Sequence, residues 1–332
     1  MMRRLFDQFQ IGAIVGVALV AGCVILLLIV AGSGKGANTD PSVVESAERE
    51  NERPAEDFLP ILESIRDVYA SIDSLSFEGH ADIRVFSGTS QINGNASLVY
   101  AAQSNRYRYE TTVAEVLQQV GLMRDVETLF DGTKYYFFDK ESRIVSFQAS
   151  EEVRLPNALP NPFFLQLDFL SNDDDQCINC KMRLHDVKQP LRWPNRASSL
   201  SIVSSLIDDG VRDVVLEMDG GKVDDIEYKF RVRLTGTESD LRITNVARLR
   251  SDGTILAEVV FNDFRPVQNF TRVIPHEIVV AARKPDGSIA LTATYQLSNL
   301  RVNEASIADS FAPTFEGAEK YWDSDAKSFI SN

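Results

Sequence analysis

Histidine and cysteine are both scarce: three of each occur in 332 residues. That leaves little material for a metal centre of several nitrogen and sulfur ligands, or for a histidine-dependent hydrolase. Basic residues are also in short supply. There are 34 Lys and Arg against 48 Asp and Glu, a net charge of −14. Duplex binding needs a basic surface, so nucleic acid is excluded as the main partner. The chain has no G-x-S-x-G element, no H-E-x-x-H pair and no Gly-rich phosphate loop. It has no repeat of fixed period either. What it does have is 44% hydrophobic residues with 25% charged, ordinary values for a chain that buries a core. Its aromatics are mostly Phe (19) and Tyr (9), residues that favour strands. A disordered chain, a collagen-like chain and a small disulfide framework are thereby excluded.

From Ile11 to Ala31 no residue is charged. As a helix this run would rise about 31 Å, enough for a bilayer's hydrocarbon core. Arg3 and Arg4 precede it, and an acid-rich stretch follows Lys35. The positive-inside rule then predicts residues 1–10 in the cytoplasm, a transmembrane helix over 11–31, and the remainder on the far side. A rival reading rests on Val20-Ala21-Gly22-Cys23, which has the form of a bacterial lipobox. Cys23 would then carry the anchor, but the apolar run continues to Ala31, where a lipoprotein turns polar. Residues 32–55, rich in Gly and Ser and then in Glu, Arg and Asn, read as a flexible linker.

Beyond the linker, Phe58, Ile61, Leu62, Ile65, Val68, Tyr69 and Ile72 mark one face of an amphipathic helix over 57–75. Short strand patterns follow, separated by Asn93-Gly94, Asp131-Gly132, Asp219-Gly220-Gly221, Asp252-Gly253 and Asp286-Gly287 as turns. Leu200–Asp208 reads as a short helix. Leu155–Leu170 carries Pro156, Pro160 and Pro162 and then Phe163, Phe164, Leu165, Leu167 and Phe169, the pattern of a buried helix introduced by prolines. Consecutive strands with tight turns imply an antiparallel meander.

Cys177-Ile178-Asn179-Cys180 has redox or zinc spacing, but it stands in a polar loop, not at the start of a helix. His185 supplies a third zinc ligand and nothing nearby supplies a fourth. Outside the cytoplasm the pair forms a local disulfide or stays as two thiols. The run Asp173-Asp174-Asp175 lacks the Gly and spaced Glu of a calcium loop and reads as a solvated face. No metal, cofactor or catalytic residue is expected. By period 2, Tyr107 shares a strand face with Tyr109, Tyr136 with Phe138, and Val145 with Phe147. These aromatics are either ordinary core or the lining of a cavity, and pattern alone does not separate the two.

The order of features is that of a known family. It begins with an amphipathic helix and a meander, then Asn105-Arg106-Tyr107-Arg108-Tyr109-Glu110. Next comes Asp131-Gly132-Thr133-Lys134-Tyr135-Tyr136-Phe137-Phe138-Asp139, followed by Asn161-Pro162-Phe163-Phe164-Leu165. Pro275 precedes a strand, a last strand runs through Tyr295, and Val302-Asn303 leads to Phe311. Over roughly residues 57–315 this resembles the periplasmic lipoprotein-carrier superfamily, the LolA/LolB/RseB-like proteins. Ser104 stands where the carriers have Pro, Tyr109 where they prefer Trp, and an anchored chain differs from a shuttling carrier.

The resemblance implies an α+β fold: a strongly curved antiparallel sheet, an unclosed half-barrel, covered by helices and occupying residues 56–315, with 316–332 as a tail. It implies a lipid or lipoprotein acyl chain as ligand and no enzymatic step. The cavity wall would be Tyr107, Tyr109, Tyr136, Phe138 and Phe147, and the lid Phe163, Phe164 and Leu167. It further implies a domain in the bacterial periplasm, held at the cytoplasmic membrane. The alternative is an RseB-like sensor that binds a membrane or envelope protein.

Overall fold

The computed structural model describes residues 58–87, 89–103, 106–119, 124–149, 200–223, 226–237, 239–284 and 286–330. The uncharged run 11–31, Cys23, the linker, Phe163, Phe164, Leu167, Cys177 and Cys180 lie outside them.

The apolar stripe predicted near residue 60 forms helix α1 (Leu59–Ala70). Phe58, Leu62 and Ile65 are fully buried against the sheet. Six strands follow: β1 (Ser74–Ser87), β2 (Ser90–Gln103), β3 (Arg106–Val113), β4 (Val126–Phe130), β5 (Lys134–Asp139) and β6 (Ile144–Ala149). Helix α2 (Glu115–Gln119) interrupts them after β3. The second half gives β7 (Ser201–Asp208), β8 (Val211–Val223), β9 (Ile226–Gly236), β10 (Arg242–Arg250), β11 (Ile255–Pro266), β12 (Val273–Arg283) and β13 (Ile289–Val302). A 3-10 turn (Ala305–Phe311) leads to β14 (Lys320–Asp323) and β15 (Ser328–Ile330).

The fifteen strands of the described residues belong to one sheet, in the order β15-β14-β6-β5-β4-β3-β2-β1-β13-β12-β11-β10-β9-β8-β7. Each half is a meander, and the β1–β13 pairing joins them: Ala81 faces Tyr295 and Ile83 faces Ala293. Asn303, just past β13, closes that joint. Its side-chain oxygen accepts the backbone N–H of Asp73 at 2.7 Å and of Ser74 at 3.2 Å.

The expected α+β class, with helices covering the sheet, is corrected. Among the described residues the helices are α1, the five-residue α2 and one 3-10 turn, and the sheet dominates. No helix among them is long and apolar enough to cross a membrane. The sheet is mixed, because β14 runs parallel to β6. One face carries α1, and its core is built largely from the sheet's own side chains between β8 and β4. We call this the inner face. The outer face near β2–β6 is covered by the C-terminal segment: Ile307, Phe311 and Phe315 pack on Ala101, Leu129, Phe138 and Val145. Residues 320–330, expected as tail, extend the sheet instead.

Three local expectations fail for clear reasons. Asp219-Gly220-Gly221 is no turn: β8 runs through it to Val223, with Asp219 opposite Lys229 and Gly221 opposite Tyr228 on β9. Leu200–Asp208 is strand β7, because Asp209 and Gly210, both at positive φ, make a tight hairpin turn into β8. Asn93-Gly94 is no turn but lies inside β2, where Gly94 pairs with Ile83. The glycine is there for space: a Cβ at 94 would lie 2.5 Å from Cγ of the buried Leu117. Gly94→Val is therefore expected to cost about 1–3 kcal/mol by overpacking. Urea denaturation of the full chain checks this, and an unchanged midpoint would show that α2 moves aside freely.

Candidate functional site

The inner face is apolar from β8 to β4 because alternate residues of each strand are apolar. Val214, Leu216 and Met218 line β8, Ile274 and Ile278 β12, and Ala293, Tyr295 and Leu297 β13. At β1–β4 the lining turns aromatic. Phe77 stacks on Tyr100 with centroids 5.2 Å apart, and Tyr107 on Phe130 at 6.3 Å. Tyr109 faces Tyr100 across β2–β3 and Thr128 across β3–β4. These rings are large, fully buried and on one side of the sheet.

The expected wall residues fall on two faces. Tyr107 and Tyr109 are inner. In the register Tyr107 pairs with Phe130 and Phe130 with Tyr135, so Tyr135 shares their side, whereas Tyr136 pairs with Leu129 and Phe147. Tyr136, Phe138 and Phe147 are therefore outer. Tyr136 and Phe138 each lie 5.8 Å from Phe315, and Tyr136 lies 5.7 Å from Phe147. Their place is under the C-terminal segment. The sequence reading missed Phe77, Tyr100, Phe130 and Tyr295 as inner aromatics. Their period-2 spacing was legible, but which strand faces align depends on register.

The outer face is organised by charge. Arg108 forms an ion pair with the buried Glu127 and donates to the carbonyl oxygens of Ser310 (3.3 Å), Ala312 (3.3 Å) and Thr314 (2.8 Å). Its guanidinium also lies over Phe315, and that of Arg106 over Phe311. Burial pushes the Glu127 carboxyl up, against the pull of Arg108. At the β4–β5 turn, burial would raise the Asp131 carboxyl, but N–H groups of Lys134 and Thr133, each at 2.8 Å, outweigh it and hold it low. Burial, then the neighbouring Asp131, pushes the Tyr136 phenol up to about 12.

The inner face carries phenols in place of charges. Burial raises both Tyr109 and Tyr295, and each is a neutral hydroxyl at physiological pH. Among the described residues no group of three or more His, Cys, Asp or Glu is placed to hold a metal ion. Among the described residues this face buries hydroxyls and no Lys, Arg or His.

No protein-family model and no curated protein matches the chain. Solved structures do resemble it. One is a LolA superfamily protein of Nitrosomonas europaea, at 14% identity over 79% of this chain and 98% of that one, with a TM-score of 0.38. A lipoprotein-sorting protein domain of the outer-membrane type from Vibrio parahaemolyticus matches at 10% identity over 77% and 97%, TM-score 0.39. MucB, solved in complex with MucA(peri), matches at 11% identity over 76% and 100%, TM-score 0.24.

Proposed function

We propose that this protein is a binding protein, not an enzyme, and that its inner face takes the acyl chain of a lipid or lipoprotein in the cell envelope. The observation that supports this most is the inner face itself. It is a continuous, largely apolar lining from β8 to β4, aromatic at β1–β4 and broken only by a few hydroxyls. Surfaces of this kind, apolar with a few placed polar groups, are the ones that small apolar ligands occupy. Work outside the cytoplasm is supported by the order of Arg3, Arg4, the uncharged run and the acid-rich stretch. A reporter fused at Asn332 should be active outside the cytoplasm; activity only inside would refute that placement.

A second reading, capture of an envelope protein partner, is favoured by the edge hairpin. Val203, Leu206, Ile207 and Val211 are exposed on β7 and β8, where β7 is the edge strand of the sheet among the described residues. Open strand edges invite pairing with another chain.

Native mass spectrometry of the extracted full chain separates the two. The lipid reading expects adducts of lipid mass that delipidation removes and added lipid restores. A bare chain that takes up no added lipid, yet arrives with a protein partner, would leave only the second.

A further inference from the structure

The buried polar side chains among the described residues are Ser74, Thr111, Glu127 and Thr128, together with the inner tyrosines. Most have evident partners. Thr111 donates its hydroxyl to the Arg124 carbonyl oxygen at 3.0 Å. Glu127 pairs with Arg108 on the outer face. Two inner-face hydroxyls differ. Oη of Tyr109 and Oγ1 of Thr128 are buried and have no hydrogen-bond partner. They belong to residues directly opposite each other on β3 and β4. Tyr295 lies close enough to Tyr109 to add to the electrostatic cost of ionising it. Buried hydroxyls are almost always paired, and an unpaired one carries its full desolvation cost.

Resting on the lipid reading above, we propose that Tyr109 and Thr128 form the polar subsite of the inner face, and that it takes the carbonyl junction of a neutral acyl ester or amide. The Tyr109 O–H donates to the carbonyl oxygen. The Thr128 hydroxyl serves the neighbouring polar atom of the ligand, a hydroxyl or an amide N–H. An ionised fatty acid is the wrong ligand for the same site. No Lys, Arg or His among the described residues is buried there, and a buried carboxylate without a cation is strongly disfavoured. A pure hydrocarbon would leave both hydroxyls as they are. The site therefore distinguishes acylated molecules from free fatty acids by one hydrogen-bonding position, while the apolar strands around it accept the chain.

The test uses the full chain held in amphipol and loaded with the neutral fluorophore N-phenyl-1-naphthylamine. Displacement is measured with monolauroylglycerol, lauroyl ethanolamide, laurate and dodecane, at about pH 8, where laurate is ionised. The ester and the amide should displace at concentrations at least tenfold below laurate. Tyr109→Phe should weaken both by about five- to tenfold, the worth of one hydrogen bond, and leave dodecane unchanged. Thr128→Val should act in the same direction. The melting temperature of ligand-free Tyr109→Phe should not fall, since its hydroxyl has nothing to lose. Equal displacement by laurate, an unchanged ester affinity in Tyr109→Phe, or a drop of several degrees in its melting temperature would each overturn the subsite while leaving lipid binding intact. Failure of the parent chain to take up the fluorophore or any of the four ligands would overturn the lipid reading, and the subsite with it.

Discussion

Arg108→Met in the full chain is expected to lower the free energy of unfolding by about 3–5 kcal/mol at neutral to alkaline pH. The change does more than remove one surface charge. It leaves Glu127 buried without its cation and frees the carbonyls of Ser310, Ala312 and Thr314, which Arg108 now holds. The loss should depend on pH with a definite sign. Burial already holds the Glu127 pKa above the ordinary carboxyl range, and Arg108 is the largest force pulling it back. A carboxyl whose pKa rises on folding contributes stability at low pH, and that contribution is lost as pH rises through the folded value. Without Arg108 the folded pKa climbs further. The variant should thus lose most near pH 8 and recover part of the loss toward about pH 5. Adding Glu127→Gln to Arg108→Met should restore near pH 8 the share of the loss that comes from the stranded carboxylate, and leave the share from the freed carbonyls. Denaturant midpoints of the parent and both variants across that range check the account. A loss that is equal at both ends would mean that Glu127 is not the group left stranded.

Phe138→Ala should cost about 3–5 kcal/mol as well, but for a different reason and with a different consequence. Phe138 is buried on the outer face against Phe315, with Leu129 and Val145 beside it. Truncation opens a cavity between the sheet and the C-terminal segment and leaves the inner face untouched. Under conditions where the variant is still folded, its uptake of a neutral acyl probe should equal that of the parent. Tyr107→Ala, on the inner face, should lose both stability and uptake. If Phe138→Ala abolished uptake while folded, the assignment of the two faces would be wrong.

The turns at Asp131-Gly132, Asp252-Gly253 and Asp286-Gly287 are legible because the chemistry is local. The Asp side chain accepts the N–H groups that follow it, and each Gly takes the positive φ that the turn requires. Helix α1 is legible because its apolar stripe is long. Asn93-Gly94 has the same turn signature but obeys a distant residue, since its glycine makes room for Leu117. Ser201–Asp208 carries too little pattern to choose between helix and strand, and pairing with β8 decides it. The site was half legible. That Tyr107 and Tyr109 share a face follows from period 2, and so does the pairing of Tyr136 with Phe138. That the two pairs lie on opposite sides depends on the β3–β4–β5 register, which no single strand encodes. The cover of the outer face by Phe311 and Phe315 is a contact across some 200 residues of chain, as the Arg108–Thr314 hydrogen bond shows (|i−j| = 206). No local signal announces it.

The most direct test of the central claim, that the inner face holds the acyl chain, is photocrosslinking of the full chain with a diazirine placed near the end of a neutral acyl ester. Peptide mapping should find the label on inner-face residues of β1–β3 and β13, in peptides containing Phe77, Tyr100, Tyr107 or Tyr295, with competition by unlabelled ester. Label confined to the outer face around Phe138 and Phe315, or to the edge hairpin at Leu206 and Ile207, would contradict it.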